Sequence, residues 1–326
     1  MSRIFDALQR SEKEQPDADS SPLLEGAEFA KHAERLTAAK LAEAAIERGS
    51  PPKATSDRKS PHDADRATGN ALSTPDSPSL AALSAEERRA FFSRLKSLPI
   101  SLPPQSRLVC LTDRESPTAE ALRLLAVRLR DYRRIKPMKK VLITSTIPQE
   151  GKSTMAGNLA CALALATNEK ALLVEGDLRR PSLSRMFGIR STTGICECLQ
   201  DETAILRSIY HLEEADLWIL PAGRAPGNPL EPLQSSALPA LLDKLAIYFD
   251  WIVIDTPPVL PLADTSIWMR LADGILLVTR QGTTEKKQLR KGLEALDGEK
   301  VLGAIINGAI PSAYSGYYYR TSNQSE

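Results

Sequence analysis

The stretch Gly151-Lys152-Ser153-Thr154 sets a lysine directly after a glycine and before two hydroxyls. It follows the apolar run Val141–Ser145 and a five-residue connection containing Pro148, Gln149 and Glu150. A loop of this kind, opening straight into a helix, points backbone N–H groups and a positive helix end at bound phosphate. Lys152 would neutralise the β- and γ-phosphates of a nucleotide, and Ser153 would ligate Mg²⁺. The full pattern GxxxxGK[ST] has glycine at the position held here by Thr146. Two carboxylates, Glu175 and Asp177, end the apolar run Ala171–Val174, and a third, Asp255, ends Trp251–Ile254 ahead of Pro257-Pro258. Carboxylates beside a phosphate loop can hold a metal ion or accept a proton from an attacking hydroxyl. Each of the three motifs is modest alone, but together and in this order they predict one another. A fourth reactive set is Tyr314, Tyr317, Tyr318 and Tyr319, four of the seven tyrosines in one six-residue window.

These groups need elements that bring them to one place. Short apolar runs at 140–145, 171–174, 217–221, 251–255, 274–279 and 302–307 read as strands. Helical patterns cover 152–167, 235–248, 264–271 and 284–297, and Ser116-Pro117 opens another helix as N-cap and first turn. Such alternation predicts an α/β fold, a mostly parallel sheet with helices on both faces. Ligands then bind at the carboxyl ends of the strands, where the motifs lie.

Upstream of residue 101 the chain reads differently. Short helices are expected over 2–14 and 26–48. The Pro- and Ser-rich segment 49–80 reads as a disordered linker. Ser84 and Glu87 form a capping box for a helix reaching Leu98. Its stripe of Phe91, Phe92 and Leu95 suits either packing on the main domain or docking to a partner. The expected organisation is an N-terminal extension over 1–100, a P-loop domain over 101–310, and a flexible tyrosine-rich tail over 311–326.

The chain has 326 residues with 42 Lys and Arg against 41 Asp and Glu, a net charge of +1. That balance argues against nucleic acid as a partner. Cys110, Cys161, Cys196 and Cys198 form no CxxC pair and read as reduced thiols. The start Met1–Leu8 has no apolar core of the kind a signal peptide needs. No apolar stretch approaches the ~20 residues of a bilayer span, so a cytoplasmic protein is expected.

The motifs together resemble the bacterial tyrosine kinases of capsular and exopolysaccharide biosynthesis, a branch of the MinD/ParA-like P-loop NTPases. The family's T-S-x-x-P-G-E-G-K-S-T is similar to Thr144–Thr154, with Gln149 in place of glycine. Its D-x-D-L-R-R-P is similar to 175–181, with Glu175 for the first Asp, and its I-D-x-P-P to 254–258. Leu220–Pro229 with Leu233 and Ser235 resembles P-A-G-x-x-P-P-N-P-x-x-L-L-x-S, and Val278–Thr283 resembles V-x-R-x-G-x-T. An oligomerisation helix of the form E-x-x-R-x-L-R-T-N is matched by Glu120, Arg123 and Leu125, with Ala126 and Arg128 departing from it. The lysine that the MinD/ParA branch carries early in the loop falls at Thr146.

The resemblance implies transfer of the ATP γ-phosphoryl group to protein tyrosine, giving ADP and phosphotyrosine. The acceptors would be the four tail tyrosines, in trans. Pro148, Gln149, Glu150, Gly151, Lys152, Ser153 and Thr154 would bind ATP. Ser153, Asp177 and Asp255 would hold Mg²⁺, and Lys152, Asp177, Glu175 and Asp255 would carry catalysis. Implied partners are a membrane chain-length-determining protein as activator, further copies of the chain through Glu120 and Arg123, and a tyrosine phosphatase. The protein would then sit at the inner face of the membrane through its partner. Residues 1–14 are expected to help dock it there. Two other readings are a partitioning-type P-loop ATPase without tyrosine phosphorylation and a regulatory protein that holds nucleotide without turnover. The tyrosine-rich tail argues against both.

Overall fold

The computed structural model describes residues 84–309 apart from 168, 191–192 and 225–226. The helices expected at 2–14 and 26–48, the linker 49–80 and the tyrosine window lie outside the described residues. The strands are β1 Lys96–Leu98, β2 Lys140–Ser145, β3 Ala171–Glu175, β4 Tyr210–Leu212, β5 Leu217–Leu220, β6 Trp251–Asp255, β7 Gly274–Arg280 and β8 Val301–Asn307. The helices are α1 Ala85–Ser93, α2 Val109–Thr112, α3 Pro117–Ile135, α4 Lys152–Thr167, α5 Leu183–Met186, α6 Ile195–Gln200, α7 Ile205–Ser208, α8 Leu230–Gln234, α9 Ala237–Tyr248, α10 Asp264–Leu271 and α11 Lys286–Glu294.

The described residues form one eight-stranded sheet of order β1-β4-β5-β3-β6-β2-β7-β8. The six strands from β5 to β8 run parallel. β4 runs antiparallel to β5, and β1 runs parallel to β4. The central strands read as apolar runs because both faces are covered. Their side chains alternate between two cores. Val141, Ile143, Leu173 and Val253 join α3 and α4 on one face, while Leu142, Leu172, Ile252 and Ile254 join α9 and α10 on the other. The sheet is thus the one the alternation predicts, with the phosphate-loop strand β2 between β6 and β7.

Helix α3 begins where Ser116 Oγ accepts from Ala119 N at 3.2 Å, with Pro117 in the first turn. Ala119, Leu122, Ala126 and Leu129 then form its buried stripe. Helix α4 lies between α3 and the sheet, so Ala156, Leu159, Ala160 and Leu163 are all buried. Asn158 fixes its height. Its Oδ1 accepts from Cys110 N at 3.1 Å, and its Nδ2 donates to Arg107 O at 2.8 Å and Thr154 O at 2.9 Å.

Two strands escape the sequence reading. β1 and β4 are three residues each, too short for a period of two to register. The expected boundary near residue 100 also moves. The Ser84–Glu87 capping box is formed, and α1 lays its aromatic stripe on the sheet. Phe91 stacks on Tyr248 with ring centroids 3.8 Å apart. Phe92 meets Phe249 at 5.4 Å and Trp218 at 4.8 Å. Arg88 donates to Tyr248 O at 2.5 Å. Aromatic burial of this extent is worth far more than an exposed helix face, so among the described residues the folded body includes the chain from Ser84 onward, and the stripe belongs to its own core. Phe91→Ala is expected to destabilise the protein by about 3 kcal/mol in chemical denaturation, with ATP affinity unchanged. A midpoint unchanged from wild type would show that α1 is not part of the cooperative unit.

Candidate active site

The carboxyl ends of β2, β3 and β6 lie side by side, because β6 pairs with β2 on one side and β3 on the other. Glu175 and Asp255 occupy the same register on β3 and β6. At the end of β2 the chain turns through the phosphate loop into α4. Lys152, the first residue of that helix, turns its ammonium back toward the neighbouring strand ends. Its Nζ lies 2.8 Å from Asp177 Oδ2 and 3.5 Å from Asp255 Oδ1, and 3.2 Å from Ser153 Oγ. The structure therefore brings Lys152, Ser153, Asp177 and Asp255 into one cluster. It is nearly closed to solvent, with side chains 12%, 5% and 1% exposed for the lysine and the two aspartates.

Burial controls the charges here. It drives the Asp255 carboxyl up to about 6, against the opposing pull of Lys152 and the Ser153 hydroxyl. Asp177 and Glu175 add repulsion. Burial alone lowers Lys152, but the carboxylates of Asp255 and Asp177 outweigh it and hold the ammonium above the usual lysine value. Asp255 Oδ2 is buried with no hydrogen-bond partner among the described residues. An orphaned carboxylate oxygen beside a serine hydroxyl and a second carboxylate is an all-oxygen donor set, which suits a hard divalent cation such as Mg²⁺. The residues present fit the ion.

Asp177 is placed by its loop. Gly176 N donates to Asp255 O at 2.8 Å, and Gly176 O accepts from Trp268 Nε1 at 3.2 Å. A Cβ at 176 would meet both Asp255 O and the Trp268 ring at 2.9 Å, so only glycine allows this crossing. Arg179 forks onto Asp264 at 2.8 and 3.0 Å, with Asp264 fully buried on α10. Asp177 Oδ1 accepts from Arg180 N at 3.1 Å, leaving Oδ2 to Lys152.

Glu175 departs from the expected catalytic place. Its carboxylate accepts from Leu183 N at 2.6 Å, Ser184 Oγ at 2.9 Å and Ala222 N at 3.0 Å. These bonds tie the β3 loop to the segment after β5 and leave Glu175 as a clamp. The methylene that distinguishes Glu from Asp gives it that reach.

The loop 147–151 is braced in the same way. Glu150, expected among the phosphate-binding residues, is fully buried and turns its side chain away from the mouth. It accepts from Ile147 N at 2.8 Å and from the Thr284 hydroxyl beyond β7. Asn307, the last residue of β8, donates to Glu150 O at 2.8 Å, and its side chain fills the space where a Cβ on Gly151 would stand. Gln149, in the position the family gives to glycine, has φ of +69°. A side chain in this left-handed region costs about 1–2 kcal/mol, held by the surrounding bonds. Thr146 is fully buried against Gly292 of α11. Pro148 and Thr154 keep their expected places in the loop and in the first turn of α4.

Sequence reasoning missed Asp264, Asn307 and Thr284. Asp264 and Asn307 sit in no charged motif, and Thr284 is the closing T when V-x-R-x-G-x-T is laid from Val278, one residue past the stretch quoted for it. Glu120 and Arg123 pair with each other on the exposed side of α3, and Arg123 also donates to Arg114 O at 2.6 Å. The four thiols are all buried. Burial pushes Cys110, Cys196 and Cys198 up to about 11 and Cys161 higher still.

Comparison with known proteins agrees with this geometry. A family model described as an AAA domain matches residues 139–296. The tyrosine-protein kinase YwqD of Bacillus subtilis (strain 168) is 36% identical over 222 residues, 67% of this chain and 93% of YwqD. The succinoglycan biosynthesis transport protein ExoP of Rhizobium meliloti (strain 1021) is 37% identical over 172 residues, 51% of this chain but only 22% of the longer ExoP. Among solved structures, the kinase domain of the Escherichia coli tyrosine kinase ETK matches with a TM-score of 0.60 and 26% identity, covering 67% of this chain and 90% of that domain. With a lysine-led phosphate loop facing two strand-end aspartates, and with more than a third of the aligned residues identical along nearly the whole of YwqD, this chain belongs to the family of bacterial tyrosine-protein kinases.

Proposed function

We propose that the chain is an ATP-dependent protein-tyrosine autokinase acting on Tyr314, Tyr317, Tyr318 and Tyr319 of a neighbouring copy, and that it thereby regulates exopolysaccharide or capsule polymerisation and export. The observation that carries this reading is the Lys152 ammonium bracketed by Asp177 and Asp255 at the start of α4. The acceptor phenol oxygen attacks the γ-phosphorus as the bond to the β-phosphate oxygen breaks, and ADP leaves. Lys152 releases its carboxylates to meet the phosphates and offsets the charge that builds on them. Asp177, held by the Arg179–Asp264 fork, accepts the phenol proton, whose ordinary pKa is ~10. Ser153, Asp177 and Asp255 would hold Mg²⁺, which when bound supplies Lewis-acid neutralisation of the phosphate charge. Glu175 and Glu150 act on the geometry of their loops and not on the phosphoryl group.

The setting follows from the resemblance. A membrane chain-length-determining protein would activate the kinase and hold it at the inner membrane face. Glu120 and Arg123 would assemble copies, and a phosphatase would reset the tail. Among the described residues no helix is long and apolar enough to cross a membrane.

Incubating the purified full chain with ATP and Mg²⁺ and probing for phosphotyrosine tests this reading directly. Lys152→Met is expected to lower the signal by about 10²-fold or more. Changing the four tail tyrosines to Phe is expected to remove it while nucleotide binding persists. Wild-type protein that stays unlabelled even with its membrane partner would sink the kinase reading.

Asp255→Asn separates function from stability. A carboxyl raised from 3.8 to about 6 favours the protonated native state. Its ionisation therefore costs stability progressively as pH rises through that window. Without nucleotide or metal, the Asn variant should be more stable than wild type above about pH 6, by ~2–3 kcal/mol. That advantage should shrink toward pH 4, and phosphorylation should be lost. A variant less stable than wild type at neutral pH would contradict this account of the site's charge.

A further inference from the structure

Beside the catalytic cluster lies a cavity of about 550 Å³ that no step of the reaction above uses. One wall is the segment after Asp177, including Pro181, Ser184, Arg185 and Arg190; the other is Pro221–Gly223 beyond β5. Its volume falls within the range of small-ligand sites, about 300–1,000 Å³. The charges lining it are one-sided. The sole acidic residue in the lining is Glu175, whose two oxygens already accept three hydrogen bonds. Arg185 and Arg190 are exposed and have no carboxylate partner among the described residues. Two guanidinium groups over a cavity whose only carboxylate is already satisfied make a site for a phosphate-sized dianion, for which arginine's planar fork is well matched.

The tail of a neighbouring copy, the acceptor in the reading above, supplies such a group: it carries four tyrosines within 314–319. Unmodified, the segment 312–326 carries only two charged side chains, Arg320 and Glu326. Each phosphotyrosine adds about −1.5 to −2 charges.

We propose that this cavity is a phosphotyrosine subsite. It takes one already phosphorylated residue of the tail cluster through Arg185 and Arg190, and so holds an adjacent, unmodified tyrosine near Asp177. The proposal rests on the kinase reading for the source of the phosphotyrosine, but the site itself is tested by binding alone. Modification of a cluster of four would then be self-priming: the first phosphate promotes the next.

The test uses full-length Lys152→Met protein, whose own tail stays unmodified, and fluorescent peptides of residues 310–326 with or without phosphotyrosine at 318. By anisotropy the phosphopeptide should bind at least tenfold more tightly than the plain peptide. Saturating ATP and Mg²⁺ should not displace it, either from this variant or from the chain with its four tail tyrosines changed to Phe, which keeps Lys152. Arg185→Ala with Arg190→Ala should erase the difference, and the paired Lys variants should restore part of it, with melting temperature unchanged throughout. Equal binding of the two peptides, displacement by ATP, or a preference that survives the paired Ala variant would each overturn the proposal. Because this readout needs no catalysis, a chain that binds the phosphopeptide but never labels itself would refute the kinase reading and leave the subsite standing.

Discussion

A buried lysine cannot stand without counter-charge, and a buried pair of aspartates cannot stand without a cation. Lys152, Asp177 and Asp255 meet both requirements at once, at the one point where the ends of β2, β3 and β6 converge. The surrounding architecture serves to make that meeting possible. The two apolar cores give the sheet its rigidity, and α4 is buried from Met155 to Ala164, which holds its first turn in place. Asn158 pins the helix to the segment before α3. Had the strands not been parallel, the loop and the carboxylates would fall on opposite edges of the sheet.

Around this ion cluster lies a shell of side chains that do not touch it. Glu175, Glu150, Asp264 and Asn307 each satisfy backbone or guanidinium groups of a loop that does. The two glutamates show how residue type alone misleads. Both are acidic, both lie in motifs, and both point away from the reacting centre. The left-handed Gln149 has the same origin, since a loop fastened at Ile147, Glu150 and Gly151 leaves its middle residue little choice of backbone.

The sequence was most informative where a single residue type is required. Lys152, Asp177 and Asp255 could be named because a GKS turn and two strand-end carboxylate motifs, each modest alone, follow one another in the order that one phosphate site requires. The six longer strands and α4 showed through their unbroken apolar runs. The rest was hidden for definite reasons. β1 and β4 owe their existence to neighbours distant in sequence. The place of α1 depends on Tyr248 and Phe249, more than 150 residues away. Asp264 looks like any first-turn carboxylate until Arg179 is seen folded over it. Local pattern reports local requirements, and these contacts are not local.

The four cysteines have a consequence of their own. All of them fall among the described residues and all are buried; burial raises Cys110, Cys196 and Cys198 to about 11 and Cys161 higher still. At neutral pH only about one thiol in 10⁴ of the first three is ionised, and the thiolate is the form that oxidants and alkylating agents attack. In the folded chain these four thiols should therefore react slowly with oxidants and alkylating agents, and a cysteine introduced on the surface should react well ahead of them. Position-specific probes can thus be attached to this kinase without first removing anything from its core.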